Sequence, residues 1–282
     1  MKIGRGVFSG KRERFIFMDG KYLSLELDED FPEEGKVDLS KSADLGKPDF
    51  LLPPLERFGQ IRDFYAFEEH ASNSRKNRGL EMEPEWYNIP IYYYTSNSNL
   101  YGSMESVHYP TFTHELDLEV EIGIVIGKDG KNIDEKDAIS HIFGLTLMND
   151  WSARDLWRKE AKLNLGPSKS KDFATSIGPY ITTMKDIERM WNGKSFNINV
   201  KSYINGKKFS DSNMESIYWP LGKMISYASM DSTLRKGDIL MTGTFPGGCI
   251  FERYREGMEW LHSGDQISIS SETLGKLENK VI

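Results

Sequence analysis

The carboxylates of Glu119 and Glu121 are the side chains whose type and spacing most directly suggest chemistry. Together with Glu115 and Asp117 they alternate with apolar residues, so a β-strand would place all four acids on one face. Two residues span ~6.5 Å along a strand, and one divalent cation can bridge two carboxylates at that separation. Oxygen ligands favour Mg²⁺, Ca²⁺ or Mn²⁺ over zinc.

The alternative interpretation of this run is a strand with one solvent-exposed face, which the alternation alone would favour. Two features oppose it. The run continues as Ile122–Ile126, which is apolar on both faces, so the strand enters the interior just after Glu121. No Lys or Arg is interleaved with the acids, so they repel one another unless a cation intervenes. The pattern therefore predicts a buried divalent-cation site.

Asp150 is a further candidate, within the stretch Phe143–Asp155. Apolar residues through Met148 predict a short buried strand, and Trp151–Ala161 has a helical pattern without Gly or Pro. Asp150 is therefore expected where a strand ends and a helix begins. A carboxylate there can cap the helix or reach into a cleft, and the local sequence alone favours the cap.

Asp63 and His70 lie seven residues apart in the segment 60–73. If this segment is helical, the two side chains share a face. A histidine suits general-base catalysis near neutrality because an unperturbed imidazole has a pKa of about 6.5. The alternative is an amphipathic surface helix with buried aromatic residues, which is the more common setting for a single histidine.

Composition excludes several classes of function. The chain has 282 residues, 38% hydrophobic and 28% charged, with a net charge of −7 that argues against nucleic-acid or membrane-surface binding. The single cysteine, Cys249, excludes an internal disulfide framework and a Cys-rich zinc site, and is expected to be a small buried residue. No apolar run resembles a signal peptide or a membrane span, so a soluble cytoplasmic protein is expected.

The elements that must position these groups are mostly short strands. Residues 1–55 are expected to form a small β-rich N-terminal domain with a proline-stiffened link, and 56–282 a second, mixed but predominantly β domain. Turn signals predict two hairpins. One has its turn at Asp19-Gly20-Lys21, between Arg14–Met18 and Tyr22–Leu27, and the other has its turn at Asn205-Gly206. Hydrophobic periodicity predicts a helix at Trp219–Met230.

Four segments together resemble the fumarylacetoacetate hydrolase family in residues, order and approximate spacing: Leu118–Glu121, His141–Asp155, Lys171–Pro179 and Gly237–Thr244. The Asn-Asp-Trp-Ser-Ala-Arg-Asp run is the specific part, and the resemblance extends from about Gln60 to the C-terminus. It is closest to fumarylacetoacetases proper, because Asp63 and His70 also match. The resemblance implies a mixed β-roll catalytic domain, a homodimer, and a role such as aromatic amino acid catabolism.

The resemblance also implies a role for each matching residue. His70 would be the water-activating base and Glu252 the group that orients it. A divalent metal, most simply Mg²⁺, would be bound by Asp63, Glu119, Glu121 and Asp150. Arg154 and Lys171 would stabilise the negative charge of the leaving group. The substrate would be contacted by Tyr65, Tyr93, Thr244 and Arg78.

Two positions depart from the family pattern. Trp157 stands where close relatives have a Gln that contacts the leaving group. Arg78 lies eight residues after His70, whereas the family's arginine is expected nine residues after it. Both departures affect how the substrate would be recognised.

We expect a metal-dependent hydrolase that cleaves a carbon–carbon bond in small β-diketo acids, either fumarylacetoacetate-like or acylpyruvate-like. A β-diketone suits this chemistry because its departing carbanion is an enolate. The alternatives are an isomerase, decarboxylase or dehydratase of 2-keto acids, which need only metal-stabilised enolate chemistry, and a non-catalytic metal- or ligand-binding module.

Overall fold

Strands carry most of the regular structure, in a computed structural model that describes residues 1–26, 31–32, 37–254 and 257–282. The N-terminal strands are β1 (Lys2–Phe8), β2 (Lys11–Met18), β3 (Lys21–Ser24) and β4 (Phe50–Leu52). The middle elements are β5 (Ile61–Phe64), α1 (Glu68–Asn77), β6 (Tyr92–Thr95), β7 (Leu100–Tyr101), β8 (Ser106–Val107), β9 (Leu116–Asp117), β10 (Val120–Ile126), β11 (Ile142–Asp150), β12 (Ser152–Ala153) and α2 (Arg154–Glu160).

The last third of the chain continues the mixed pattern. Its elements are β13 (Thr175–Thr183), α3 (Met184–Ile187), β14 (Asn199–Ile204), β15 (Lys207–Asn213), α4 (Leu221–Ser229), β16 (Ile239–Met241), α5 (Ile250–Arg253), β17 (Gln266–Ser271) and β18 (Gly275–Val281). Short 3₁₀ turns occur at Leu39–Lys41, Pro84–Tyr87, Ala138–His141, Ala161–Leu163, Glu188–Met190 and Met214–Ser216.

A large mixed sheet forms the centre of the fold. Its strand order is β3-β2-β1-β13-β11-β10-β16-β5-β6, with β4 paired to β1 and β7 paired to β13. Most neighbours are antiparallel, but β5 runs parallel to β16. A five-stranded sheet, β15-β14-β17-β18-β8, and a β12-β9 pair complete the topology. Every residue of β10 and β13 is buried, so the core lies around these central strands. This confirms a predominantly β fold with mixed topology.

Strand pairing brings distant acids to one end of the central sheet. Because β10 and β11 are antiparallel, the start of β10 lies beside the end of β11, and the Asp150 N–H donates to the Glu119 carbonyl at 3.1 Å. On the other side of β10, β16 pairs with β5 in a register that places Asp63 opposite Met241. Three segments that are remote in sequence therefore converge.

Both predicted hairpins are confirmed. The turns at Asp19-Gly20 and Asn205-Gly206 each have two consecutive residues with positive φ, as a two-residue hairpin turn of this kind requires. The C-terminal end of the predicted run Tyr22–Leu27 falls outside the described residues at Leu27. Residues 1–55 join the main sheet through the pairing of β1 with β13, and the division of the chain at residue 55 stays a prediction.

Two local predictions were wrong because long-range pairing overrides the local pattern. Asp150 is the last residue of β11 and caps no helix, since α2 begins only at Arg154. The strand expected to run from Glu115 through Ile126 is divided into β9 and β10. Asp63 lies in β5 and His70 in α1, so the condition that one helix carries both residues is not met.

The α-helices in the described part of the chain are short. The longest, α1, has ten residues, and the helix predicted at Trp219–Met230 is confirmed as α4, Leu221–Ser229. Among the residues that the structure describes, no helix has the length and apolar character needed to cross a bilayer.

Asp238→Ala should destabilise the protein by about 3–5 kcal/mol, because it would leave the Arg62 guanidinium buried without its carboxylate. Arg62 is fully buried and its Nη1 donates to Asp238 Oδ2 at 3.1 Å, which ties β5 to the start of β16. Urea unfolding would measure the loss. The control Lys223→Ala breaks an exposed pair with Glu135 and should leave stability unchanged; equal stability of Asp238→Ala and the control would contradict the assignment.

Candidate metal centre

Four carboxylates meet at the end of the central sheet. One oxygen each from Asp63, Glu119, Glu121 and Asp150 lies within 4.8 Å of the others. Each of these residues is at most 6% exposed. They come from β5, from the residue preceding β10, from β10 itself and from the end of β11. The structure therefore brings together the whole set of acids that the sequence analysis selected as metal ligands.

Backbone and hydroxyl donors fix two sides of this cluster. The Gly243 N–H donates to Glu121 Oε2 at 3.0 Å, and the Thr244 hydroxyl donates to Oε1 at 3.4 Å. The Tyr93 hydroxyl lies 2.7 Å from Asp63 Oδ2 and 2.6 Å from Asp150 Oδ2. A phenol has one proton to donate, so a second proton is needed to satisfy both short contacts. Burial, and then the charge of Asp150, raise the pKa of Asp63 well above its usual range, which is consistent with a proton held there.

Two buried cations partly compensate the acids. The Lys171 ammonium contacts Glu119 and donates to Asp150 Oδ2 at 2.5 Å. Arg154 donates from Nη2 to Glu119 Oε1 at 2.6 Å. Burial alone would raise the pKa of Glu119, but Lys171 and Arg154 outweigh it and hold that pKa far below the usual range. Burial would also lower the pKa of Lys171, and the charges of Asp150 and Glu119 raise it instead.

The cluster fits a hard divalent cation. Two buried oxygens, Asp63 Oδ1 and Asp150 Oδ1, have no hydrogen-bond partner among the described residues, which is costly unless something else binds them. Burial, and then the charges of Asp63, Glu119 and Asp150, raise the pKa of Glu121 well above normal, so a cation placed beside it would favour its ionised form. An all-oxygen donor set of this kind suits Mg²⁺, Mn²⁺ or Ca²⁺.

A histidine–glutamate pair lies beside the cluster. His70 Nδ1 is 2.6 Å from Glu252 Oε1, so α1 and α5 bring together two residues that are 182 positions apart. An ionised carboxylate can only accept, so Nδ1 carries a proton, and in the neutral imidazole Nε2 has the free lone pair. Burial would raise the pKa of Glu252, but His70, Asn73 and the Gly247 N–H lower it, which keeps this group ionised.

A cleft of about 640 Å³ opens onto this arrangement. Its walls include ten of the twelve residues selected from sequence: Asp63, Tyr65, His70, Arg78, Tyr93, Glu119, Glu121, Arg154, Lys171 and Thr244. The other two, Asp150 and Glu252, lie behind it and contact Lys171 and His70. Tyr93 and Thr244, which the resemblance assigns to substrate, contact carboxylates of the cluster in this structure, and their contact with substrate stays a prediction.

Sequence reasoning missed the support around Arg154. Asp117 Oδ2 accepts from Arg154 Nε at 2.8 Å, and the two oxygens of Asp117 also accept from the N–H groups of Ile250 and Phe251 at 2.7 and 3.0 Å. Asp117 therefore links the arginine to the start of α5, which carries Glu252. The alternating acidic run contained this residue, but nothing local distinguished it from a metal ligand. Cys249 is buried, as expected.

Comparison with known proteins identifies the family. Residues 60–282 match the family described as fumarylacetoacetate (FAA) hydrolase, C-terminal. The chain therefore belongs to the fumarylacetoacetate hydrolase family, as its motifs suggested.

Relatives within this family differ in activity. A fumarylacetoacetase of Arabidopsis thaliana is 29% identical over 286 residues, covering 80% of this chain and 67% of that protein. An oxaloacetate tautomerase of Xenopus laevis is 32% identical over 193 residues, covering 68% of this chain and 58% of that protein. The chain thus spans roughly three-fifths to two-thirds of the length of these curated relatives.

Solved structures share the fold. A fumarylacetoacetate hydrolase from Exiguobacterium antarcticum superposes with a TM-score of 0.80 at 24% identity and covers 100% of this chain and 99% of that one. A fumarylpyruvate hydrolase from Pseudomonas aeruginosa, solved with Mn²⁺ and pyruvate, has a TM-score of 0.65 at 20% identity, covering 83% and 92%.

Mg²⁺ or Mn²⁺ should raise the melting temperature of the protein above its value in EDTA. At a hundredfold excess over Kd, metal binding should add about 2.7 kcal/mol to the free energy of unfolding. The rise should be larger at pH 7.5 than at pH 5, because the raised pKa values of Asp63 and Glu121 let protons compete with metal as pH falls. Differential scanning fluorimetry would measure it.

Asp63→Asn should abolish most of this stabilisation, and the exposed control Asp134→Asn should retain it. The same rise in both variants would contradict the assigned ligands.

Lys171→Met should destabilise the metal-free protein by about 3–5 kcal/mol, because Glu119 and Asp150 would lose their buried counter-charge. Saturating metal should recover part of the loss, which urea unfolding with and without Mg²⁺ would detect. Lys169→Met is the matched control, since Lys169 pairs with Asp172 at the surface. A Lys171 variant as stable as the control would refute the proposed charge compensation.

Proposed function

We propose that this protein is a metal-dependent hydrolase that cleaves a carbon–carbon bond in β-diketo acids of the fumarylacetoacetate or acylpyruvate type. The observation that carries the proposal is the His70–Glu252 pair beside four clustered carboxylates. Hydrolysis needs a base that activates water next to the metal site, and the pair can supply such a base.

His70 would act as the general base. Its Nε2 would take a proton from water while the resulting hydroxide adds to one keto carbon. The bond to the neighbouring carbon then breaks, its electron pair leaves with that carbon as an enolate, and the proton returns to the enolate carbon. The products are a carboxylic acid and a ketone. Glu252, ionised and 2.6 Å from Nδ1, would stabilise the imidazolium between these two transfers.

A bound cation and the charged residues around the cluster would stabilise the negative charge that develops on the substrate. A divalent cation held by Asp63, Glu119, Glu121 and Asp150 would supply Lewis-acid polarisation of the two keto oxygens and stabilise the enolate. Lys171 uses two of its three N–H donors on carboxylates, so one remains for a substrate oxygen. Arg154 donates from Nε to Asp117 and from Nη2 to Glu119, so Nη1 would remain to stabilise the charge of the leaving group.

Tautomerisation or isomerisation of a 2-keto acid is the second candidate. The observation in its favour is the oxaloacetate tautomerase relative, which is 32% identical. That chemistry moves protons without adding water. A homodimer, a small keto-acid substrate and a cytoplasmic location stay predictions.

The proposal is tested on a panel of β-diketo acids with purified protein and Mg²⁺ or Mn²⁺. His70→Ala should lower kcat about 10²–10⁴-fold, because general-base assistance is lost, while metal still stabilises the fold. In H₂¹⁸O, mass spectrometry should find one solvent oxygen in the released carboxylic acid.

His108→Ala, an exposed histidine, is the matched control and should retain full activity. Full activity of His70→Ala would remove the assigned base. Turnover without cleavage products would favour the tautomerase, and metal-dependent stabilisation without any turnover would favour a binding module.

A further inference from the structure

Exposed apolar side chains line the same cleft as the carboxylate cluster. Leu165 is 91% exposed, Tyr94 54% and Ile91 44%, and all three line this cleft. The four acids, by contrast, are almost completely buried. The cleft therefore combines a buried, charged floor with an apolar rim, which consists of these three residues.

Leu165 lies in a loop that is anchored on both sides. Asn164 begins the loop with a positive φ of 54°, a conformation that asparagine tolerates better than most residues. Glu160, the last residue of α2, accepts from the Ser168 N–H at 2.9 Å and from the Ser170 hydroxyl at 2.6 Å. Its carboxylate thus ties the end of the helix to the far side of the loop. The Leu165 side chain is therefore exposed although its chain segment is held in place.

The rest of the apolar rim is held by the main sheet. Tyr94 belongs to β6, the last strand of that sheet, and Ile91 directly precedes this strand. The Ile91 carbonyl accepts from the Tyr65 N–H at 3.2 Å, and the Arg62 guanidinium lies 5.2 Å from the centroid of the Tyr94 ring. Because these groups are already in position, an apolar ligand could bind against them with little ordering of the chain.

A neighbouring leucine shows that exposure alone does not define the rim. Leu163 is 77% exposed, and it is not among the residues that line the cleft. Single exposed leucines are common on protein surfaces, so Leu163 needs no ligand. Leu165 differs because its side chain borders the space that also contains the metal-binding acids.

The apolar rim favours one kind of ligand group. Burial of apolar surface tightens binding by about fourfold for each methylene group that is fully removed from water. An alkyl chain would gain this energy against Leu165, whereas a charged chain end would lose hydration there without a partner.

We infer that Leu165 is a specificity-determining residue that, with Ile91 and Tyr94, binds an extended alkyl chain on the acyl side of the substrate. This inference rests on the proposed function and narrows its substrate class to β-diketo acids with a long apolar acyl group. The diketo-acid head would lie at the buried floor of the cleft, and the alkyl chain would run outward along the rim.

The test compares three acids that differ only in the acyl group: acetylpyruvate with a methyl group, hexanoylpyruvate with a pentyl group, and succinylpyruvate with a terminal carboxylate. Binding to Mg²⁺-loaded protein is measured by calorimetry in a His70→Ala background, which slows turnover. Cleavage of the three acids is measured in the enzyme with His70 intact, as kcat and KM separately.

Hexanoylpyruvate should bind at least about tenfold more tightly than acetylpyruvate, because only its longer chain reaches the rim. Leu165→Asn should lower this preference about fivefold in Kd and KM, the effect of losing part of a buried apolar contact. Leu165→Met, which keeps an apolar side chain, should retain the preference. Leu163→Asn is the matched control and should also retain it, since Leu163 is exposed but lies outside the cleft lining.

Equal affinity for acetylpyruvate and hexanoylpyruvate would overturn the inference, as would tighter binding of succinylpyruvate than of hexanoylpyruvate. A loss of preference in Leu163→Asn equal to that in Leu165→Asn would also overturn it. Analytical ultracentrifugation covers the other occupant of the rim: a smaller assembly in Leu165→Asn, with the preference intact, would assign Leu165 to a contact between copies of the chain and contradict the inference.

The proposed function fails separately. Selective binding of hexanoylpyruvate without cleavage of any acid removes the hydrolase and leaves the alkyl-binding rim. Cleavage of all three acids without preference for the alkyl chain removes only the role of Leu165.

Discussion

Mutual repulsion among buried carboxylates is the constraint on which the rest of this structure depends. Four acids lie within 4.8 Å of one another in a region almost closed to water, where like charges repel strongly. Burial, and then the charges of neighbouring carboxylates, raise the pKa values of Asp63 and Glu121, whereas Lys171 and Arg154 hold the pKa of Glu119 low. Added positive charge, from a proton or a metal ion, would therefore stabilise the cluster.

The fold supports this centre by placing each acid on a rigid strand or directly beside one. The antiparallel pairing of β10 with β11 sets the positions of Glu119, Glu121 and Asp150, and the parallel pairing of β5 with β16 adds Asp63. The base is built separately, from two helices outside the sheet, α1 and α5. Asp117 connects the two parts, because it binds both Arg154 and the N-terminal N–H groups of α5. Metal ligands and base can thus keep a fixed relation to each other.

Much of this arrangement could be predicted from short-range patterns. Period-two alternation placed Glu119 and Glu121 on one face, and Asn205-Gly206 defined a hairpin, because both signals depend on neighbours a few residues away. The strand placements of Asp63 and Asp150 could not be predicted in this way, since each is set by a partner strand remote in sequence. An aspartate shortly before a helical segment has the same local sequence pattern whether it caps the helix or ends a preceding strand, as Asp150 does.

The contacts among the charged groups could not be predicted from the sequence either. The use of Asp117 to hold Arg154 depends on where α5 packs, and the stacking of Arg78 on Trp157 depends on the relative placement of α1 and α2. The sequence showed that both Trp157 and Arg78 depart from the family pattern, but only the structure shows that the two departures meet. Family membership then limits the chemistry to a set of related reactions and leaves the choice among them to the residues of the cleft.

The most direct test of the account is the anomalous difference density of a crystal grown with Mn²⁺, recorded above and below the manganese absorption edge. The account predicts one peak per chain, with an oxygen from each of Asp63, Glu119, Glu121 and Asp150 within about 2.3 Å of it, in the range for hard-cation ligands. A peak at another place, or a map in which the four carboxylates bind separate neighbours and no ion, would contradict it.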